Sequence, residues 1–126
     1  MSDPQEEYER TLDALMARDA RYHRDAYFFV QAALDFYQRR HRSGRRAGHV
    51  TGSDLLCGLR ELALAEYGPL AHLVLNHWGL LRGEDVGEIV YNLIDAGLMS
   101  KTEEDRREDF AGVMVFDEDM ANESTW

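Results

Sequence analysis

Apolar residues recur with helical spacing along most of the chain, and the clearest case is the stretch LLRGEDVGEIVYNLIDA at residues 80–96. Its apolar positions follow the i, i+3, i+4, i+7 rule and form one stripe: Val86, Ile89, Val90, Leu93 and Ile94. Glu84 and Asp85 fall in the first turn, where the positive end of the helix dipole favours carboxylates. Gly97 follows at the usual position of a left-handed helix cap. The pattern predicts a helix over residues 84–96.

The same kind of pattern predicts four earlier helices, over residues 5–18, 24–40, 53–67 and 69–78. Thr51 or Ser53 is expected to cap the third helix. Gly68 and Pro69 separate it from the fourth, because glycine commonly ends helices and proline commonly begins them. The apolar faces predict a core that contains Leu59, Leu62, Trp78, Ile89, Val90 and Leu93.

The stretch from residue 98 to residue 116 does not continue the helical pattern. The run 113–116 is β-prone and bounded by turn formers, so we expect it to pair with residues 98–101 as a two-stranded ribbon. Three successive helices followed by a ribbon are the parts of a winged-helix unit. The predicted fold is mainly α: a five-helix single domain with a winged-helix-like C-terminal core and a short two-stranded β-ribbon.

The length of 126 residues and the apolar share of 44% suit one domain with a real core. We expect residues 1–20 to form an N-terminal helix that is mobile, because its apolar stripe is narrow. Residues 21–116 are expected to form the globular domain, with a basic loop at residues 38–50. Residues 117–126 are expected to form a flexible acidic tail.

The net charge is −10, but residues 21–50 carry seven arginines against two aspartates. An acidic chain is repelled by nucleic acid and by anionic lipid, so any anion-binding role depends on the basic loop. Arginines there can bind phosphates bidentately. The candidate anion-binding residues are Arg39, Arg40, Arg42, Arg45 and Arg46. The alternative, which we favour, is a solvated loop that balances the acidic parts of the same molecule.

Motifs that carry chemistry are not found. Cys57 is the only cysteine, which excludes an intramolecular disulfide and any multi-cysteine metal site. His72 and His77 are five positions apart and do not share a helix face. We therefore predict no catalytic, metal-binding or cofactor-binding residues. The acidic N-terminus is unlike a signal peptide, and no apolar run could span a membrane, so we expect a cytoplasmic protein.

One acidic segment, residues 103–109, ends in an aromatic side chain that could anchor a protein partner. We predict that Phe110 packs against the fifth helix near Tyr91 or Ile94, and that the acids around it form an exposed rim. The predicted partner-binding residues are Glu103, Glu104, Glu108 and Phe110.

Several stretches resemble an uncharacterised family of small bacterial proteins, a domain of unknown function found mainly in planctomycete and verrucomicrobial genomes. They are RDAYFFVQAALDFY, YGPLAHLVLNHWG, EDVGEIVYNLIDAGLMSKTEEDRREDF and VMVF. The resemblance covers about residues 20–117 and implies no activity. This chain departs from the expected pattern at Arg82–Gly83, where we expect a polar cap before the fifth helix.

These observations favour a non-enzymatic, cytoplasmic protein-interaction or adaptor module that binds an unknown protein partner. The alternative is a nucleic-acid-associated regulator that uses the basic loop at residues 39–46. Direct reading of DNA by the fifth helix is disfavoured, because its predicted outward face carries four carboxylates and no Lys or Arg, and phosphates repel carboxylates. These carboxylates are Glu84, Asp85, Glu88 and Asp95.

Overall fold

The computed structural model describes residues 3–40, 50–99, 110 and 115–120. Its α-helices are α1 (Pro4–Arg18), α2 (Arg24–Arg40), α3 (Gly52–Tyr67), α4 (Ala71–His77) and α5 (Gly83–Asp95). Short 3-10 turns cover Gly68–Leu70 and Glu118–Met120. Four of the helices are 13 to 17 residues long, whereas α4 has only seven. No helix in these described ranges is long and apolar enough to cross a bilayer.

Local chemistry explains where the helices begin. Thr51 Oγ1 accepts a hydrogen bond from Asp54 N, and Asp54 Oδ2 accepts one from Thr51 N, both at 3.1 Å. This reciprocal capping box selects Thr51 over Ser53 as the cap of α3. The start of α5 has no small polar residue at the cap, so Asp85 Oδ2 accepts from the amides of Leu81 (2.9 Å) and Arg82 (3.1 Å) instead.

The core lies where α2 crosses α3 and α5. The α2–α3 crossing is close, since a Cβ atom added at Gly58 would lie 2.9 Å from the Cβ of Tyr37. Four predicted core residues are buried: Leu59, Ile89, Val90 and Leu93. The prediction is wrong for Leu62 and Trp78, which are only partly buried and pack at the margin of the core.

The predicted winged-helix-like core with a β-ribbon is wrong. No strand occurs within the part of the chain that the structure describes, and Val115 forms an isolated antiparallel bridge with Arg82. The other residues of the predicted ribbon at 100–101 and 113–114 lie outside the described residues. The amide of Leu98 is not available for strand pairing, because it donates to Leu93 O at 2.9 Å. The amide of Gly97 donates to Ile94 O at 3.0 Å. These two bonds form a Schellman cap, so Leu98 belongs to the turn that closes α5 and does not begin a strand.

The predicted five-helix arrangement also changes at the fourth helix. Residues 68–70 form a 3-10 turn, and only Ala71–His77 are α-helical, so four long helices build the domain. Leu12 and Leu15 dock α1 on the core with 0% and 1% exposure. The mobility of α1 stays a prediction. Met120, from the predicted flexible tail, is buried at 2% exposure.

Candidate protein-binding site

The short helix α4 and the 3-10 turn that precedes it have apolar side chains on two sides. Ala71 and Leu75 face the core and are buried, whereas Leu70 is 58% exposed and Leu73 is 55% exposed. Pro69 beside them is also exposed. Helical spacing places Leu70 and Leu73 together, away from the buried pair. We call the exposed group of Pro69, Leu70 and Leu73 the α4 surface.

An aromatic cluster braces the segment that carries the α4 surface. Tyr67 ends α3, Trp78 follows α4, and their rings meet edge to face with centroids 6.1 Å apart. Phe29 of α2 packs against Trp78 at 5.4 Å and against Tyr67 at 6.1 Å. The backbone amide of His23 donates to Trp78 O at 3.0 Å. Aromatic contacts of this geometry add to simple area burial, so the two ends of the segment are firmly joined.

A polar network joins the α1–α2 connection to α5. Asp19 Oδ2 accepts from Arg21 Nη2 at 2.7 Å and from Asn92 Nδ2 at 2.9 Å. Asn92 Nδ2 also donates to the hydroxyl oxygen of buried Tyr27, at 3.2 Å. The hydrogen bond from Arg21, aided by the one from Asn92, holds the pKa of Asp19 well below its usual range.

A second part of this network uses two of the carboxylates that we predicted to face outward. The hydroxyl of Tyr22 donates to Asp85 Oδ1 at 2.8 Å, and Arg21 lies 3.7 Å from Glu88. Burial, followed by the hydrogen bond to Asp85, raises the pKa of Tyr22 well above its ordinary value. Asp85 therefore both caps α5 and holds the α1–α2 connection, so its role is structural.

A slot on the surface of α5 holds the side chain of Phe110. This side chain is only 4% exposed. A Cβ atom at Gly87 would lie 2.8–2.9 Å from Phe110 side-chain atoms, and one at Gly83 would lie 2.8 Å from the Phe110 carbonyl oxygen. Phe110 therefore packs on the fifth helix, where it contacts Gly83 and Gly87. Its predicted place near Tyr91 or Ile94 stays a prediction.

Residues 115–120 lie along the same side of the domain. The amide of Phe116 donates to Leu81 O at 2.9 Å. The side chains of Phe116 and Met120 are buried, at 1% and 2% exposure. Arg60 of α3, itself only 6% exposed, donates from Nη2 to the carbonyl oxygen of Met120. We call the surface made by Arg60, Leu81, Arg82, Gly83 and Gly87 the α5 groove.

Most of the other predicted site residues lie outside the described residues: Arg42, Arg45, Arg46, Glu103, Glu104 and Glu108. Arg39 pairs with Asp35 at 2.6 Å, and the Arg40 guanidinium lies 5.4 Å from the centre of the Phe36 ring. Both contacts are made within the end of α2. The anion-binding role and the acidic rim stay predictions.

Within the described ranges, no three His, Cys, Asp or Glu side chains are placed to hold a metal ion. Cys57 is half-buried on α3, and burial raises the pKa of its thiol. A raised pKa lowers the fraction of reactive thiolate at neutral pH.

The sequence reasoning missed both the α4 surface and the α5 groove. A signal existed for each. Five of the six residues in the stretch LAHLVL are apolar, more than one buried face of a short helix needs. Gly83 and Gly87 lie four positions apart in a helix, where glycine is unfavourable. Comparison with protein-family models, with curated proteins and with solved structures gives no match. The resemblance to the small bacterial family stays a prediction.

Proposed function

We propose that this protein is a non-enzymatic protein-interaction or adaptor module that acts in the cytoplasm. The observation that carries the proposal is the α4 surface, where Leu70 and Leu73 are each more than half exposed on one face of a braced segment. Clustered apolar side chains on a rigid surface are typical of sites that bind other proteins. The opposite face of α4 is buried, so these leucines are not required to hold the helix on the core.

The test compares the wild-type chain with the double variant Leu70→Glu, Leu73→Glu. Each tagged protein is mixed with lysate of the native host, and the retained proteins are identified by mass spectrometry. A matched control is the double variant Ala14→Glu, Ala32→Glu, which adds the same charge at two exposed positions of α1 and α2, outside the α4 surface and the α5 groove. Circular dichroism and thermal melts check that all three proteins fold alike.

The proposal requires a protein that is retained by the wild type and by the control but lost from the double variant. The expected loss is at least tenfold, because a charge placed in an apolar interface is left desolvated and unpaired. If all three baits retain the same proteins in the same amounts, the α4 surface is not a binding site and the proposal loses its support.

A further inference from the structure

His23 caps the start of α2 with a side-chain nitrogen that accepts a hydrogen bond only while it carries no proton. Its Nδ1 accepts from the backbone amide of Asp25 at 3.0 Å. Its carbonyl oxygen accepts from the amide of Ala26 at 2.9 Å. A helix leaves the amides of its first turn without partners in its own backbone, so a side chain is needed to satisfy them. His23 is therefore the N-cap of α2, a role that asparagine, serine or threonine more often takes.

A second histidine lies beside this cap. His77 is the last residue of α4, and the centres of the His23 and His77 rings are 6.2 Å apart. Both side chains are exposed. The backbone links the same two elements, because the amide of His23 donates to Trp78 O at 3.0 Å. We call His23 and His77 the histidine pair; it lies at the joint between the start of α2 and the end of α4.

The histidine pair borders the α4 surface. His77 lies four positions after Leu73, so the two side chains are neighbours on one face of α4. Both are exposed, whereas Ala71 and Leu75 on the other side of the helix are buried. A charge on His77 is therefore placed beside an exposed leucine of the α4 surface.

One acid faces the pair. Asp25 Oδ2 lies 3.6 Å from His23 Nδ1. The neighbouring arginines have carboxylate partners of their own: Arg21 with Asp19, and Arg24 with Asp13. In the described part of the chain, the titratable groups recorded in contact with His23 are thus Asp25 on its own helix and His77 on α4.

Protonation of His23 replaces one hydrogen bond with another. Histidine is the side chain that changes its charge between about pH 5 and pH 8. A proton on Nδ1 prevents the ring from accepting from the Asp25 amide, but lets it donate to the Asp25 carboxylate nearby. The new charge stands at the positive end of the α2 dipole and, when His77 is also protonated, 6.2 Å from a second charge. Both effects drive the two rings apart.

We propose that the histidine pair is a pH-sensitive switch in the joint between α2 and α4, closed at about pH 7.5 and open at about pH 5.5. In the open state the Asp25 amide has lost its acceptor, and positive charge lies beside Leu73. An apolar partner that covers the α4 surface must then desolvate that charge, so it binds more weakly at the lower pH. This last step rests on the proposed function, whereas the switch itself is a property of the free protein.

The first experiment follows the amide of Asp25 by hydrogen exchange in the free protein at pH 7.5 and pH 5.5. This amide is in the first turn and has no acceptor in the helix backbone, so its protection measures the cap directly. After correction for the intrinsic effect of pH, its protection in the wild type should fall by about tenfold at pH 5.5, which is the worth of one cap. In His23→Asn the protection should be equal at both pH values, because asparagine caps helices and does not titrate.

His72→Asn is the matched control. It removes a histidine from α4 that lies five positions before His77 and does not share its helix face. This variant should respond to pH as the wild type does. Constant protection of the Asp25 amide in the wild type, or an equal fall in the wild type and in His23→Asn, would overturn the proposal.

A second measurement covers the case in which His23→Asn fails to fold. The ¹⁵N shifts of the histidine rings in the wild type show which ring nitrogen carries a proton. At pH 7.5 the proton of His23 should be on Nε2, with Nδ1 free to accept, and at pH 5.5 both nitrogens should be protonated. The methyl signals of Leu73 should move with the titration of His77. A proton on His23 Nδ1 at pH 7.5, or Leu73 signals that ignore this titration, would refute the switch.

The effect on binding is measured with the pull-down described above, repeated at pH 5.5. A protein that the wild type retains through the α4 surface at pH 7.5 should be retained at least tenfold less at pH 5.5, and His77→Asn should reduce this difference. Equal retention at both pH values would show that the switch does not regulate the surface. If no protein is retained at either pH, the proposed function fails, and the measurements on the free protein still decide whether the switch exists.

Discussion

Replacing Leu93 by alanine tests whether the apolar stripe of α5 forms the centre of the core. Leu93 is 0% exposed and belongs to the cluster that joins α2, α3 and α5. Such a substitution removes buried methyl groups and leaves a cavity, at a cost of about 2–5 kcal/mol. For a domain of this length, each kcal/mol lowers the melting temperature by roughly 4 °C. The expected fall in melting temperature is therefore about 8–20 °C.

The assay is urea unfolding followed by circular dichroism, with thermal melts as a second measure. Leu73→Ala is the matched control, since it makes the same chemical change at a side chain that is 55% exposed. That variant should change stability by less than about 0.5 kcal/mol. Both variants should keep the wild-type dependence on urea concentration. If Leu93→Ala shifts the midpoint no more than Leu73→Ala does, the stripe does not face the core and the reasoning is refuted.

Three further predictions concern the polar network and the basic loop. Because the folded-state pKa of Asp19 is lowered, its contribution to stability is present above about pH 4 and is lost as the pH falls. The melting temperature of Asp19→Asn should therefore fall less between pH 7 and pH 3 than that of the wild type. Tyr22→Phe removes the donor to Asp85 and should cost about 1–3 kcal/mol at pH 7. Because the pKa of Tyr22 is raised, the wild type should also lose stability above about pH 10, and urea midpoints should show a smaller loss for this variant. A labelled oligonucleotide should not be retained by the protein at physiological salt. The nucleic-acid alternative would be supported by a micromolar complex that weakens as salt is added and when the charges of Arg42 and Arg45 are reversed.

The helices were predictable because their signals are local. The stripe of α5 and its closing residue Gly97 lie within one short stretch, and the structure places the helix over Gly83–Asp95. Thr51 begins α3 through bonds to a residue only three positions away. Hydrophobic periodicity and caps depend on neighbours a few residues apart, so the sequence displays them directly.

The β-ribbon prediction was wrong because, unlike a helix, a strand pairing is not determined by neighbouring residues. β-propensity in residues 113–116 indicated extended backbone but not its partner. The amide of Leu98 is hydrogen-bonded in the cap of α5. The main-chain groups that pair with Val115 and Phe116 belong instead to Arg82 and Leu81. Pairing between distant segments depends on which backbone groups the helices leave unpaired and where tertiary packing places them.

For the candidate sites, too, some features follow from the local sequence pattern and others only from tertiary packing. The sequence by itself determined a mainly helical domain, most of its helix ends, most of its core and the contact of Phe110 with the fifth helix. Only the tertiary structure decided that Asp85 faces Tyr22, that Leu70 and Leu73 remain exposed, and that Gly83 and Gly87 form a slot. A periodic pattern shows which side chains share a face, but burial of that face and the identity of its neighbours are set by the packing of helices that are distant in sequence.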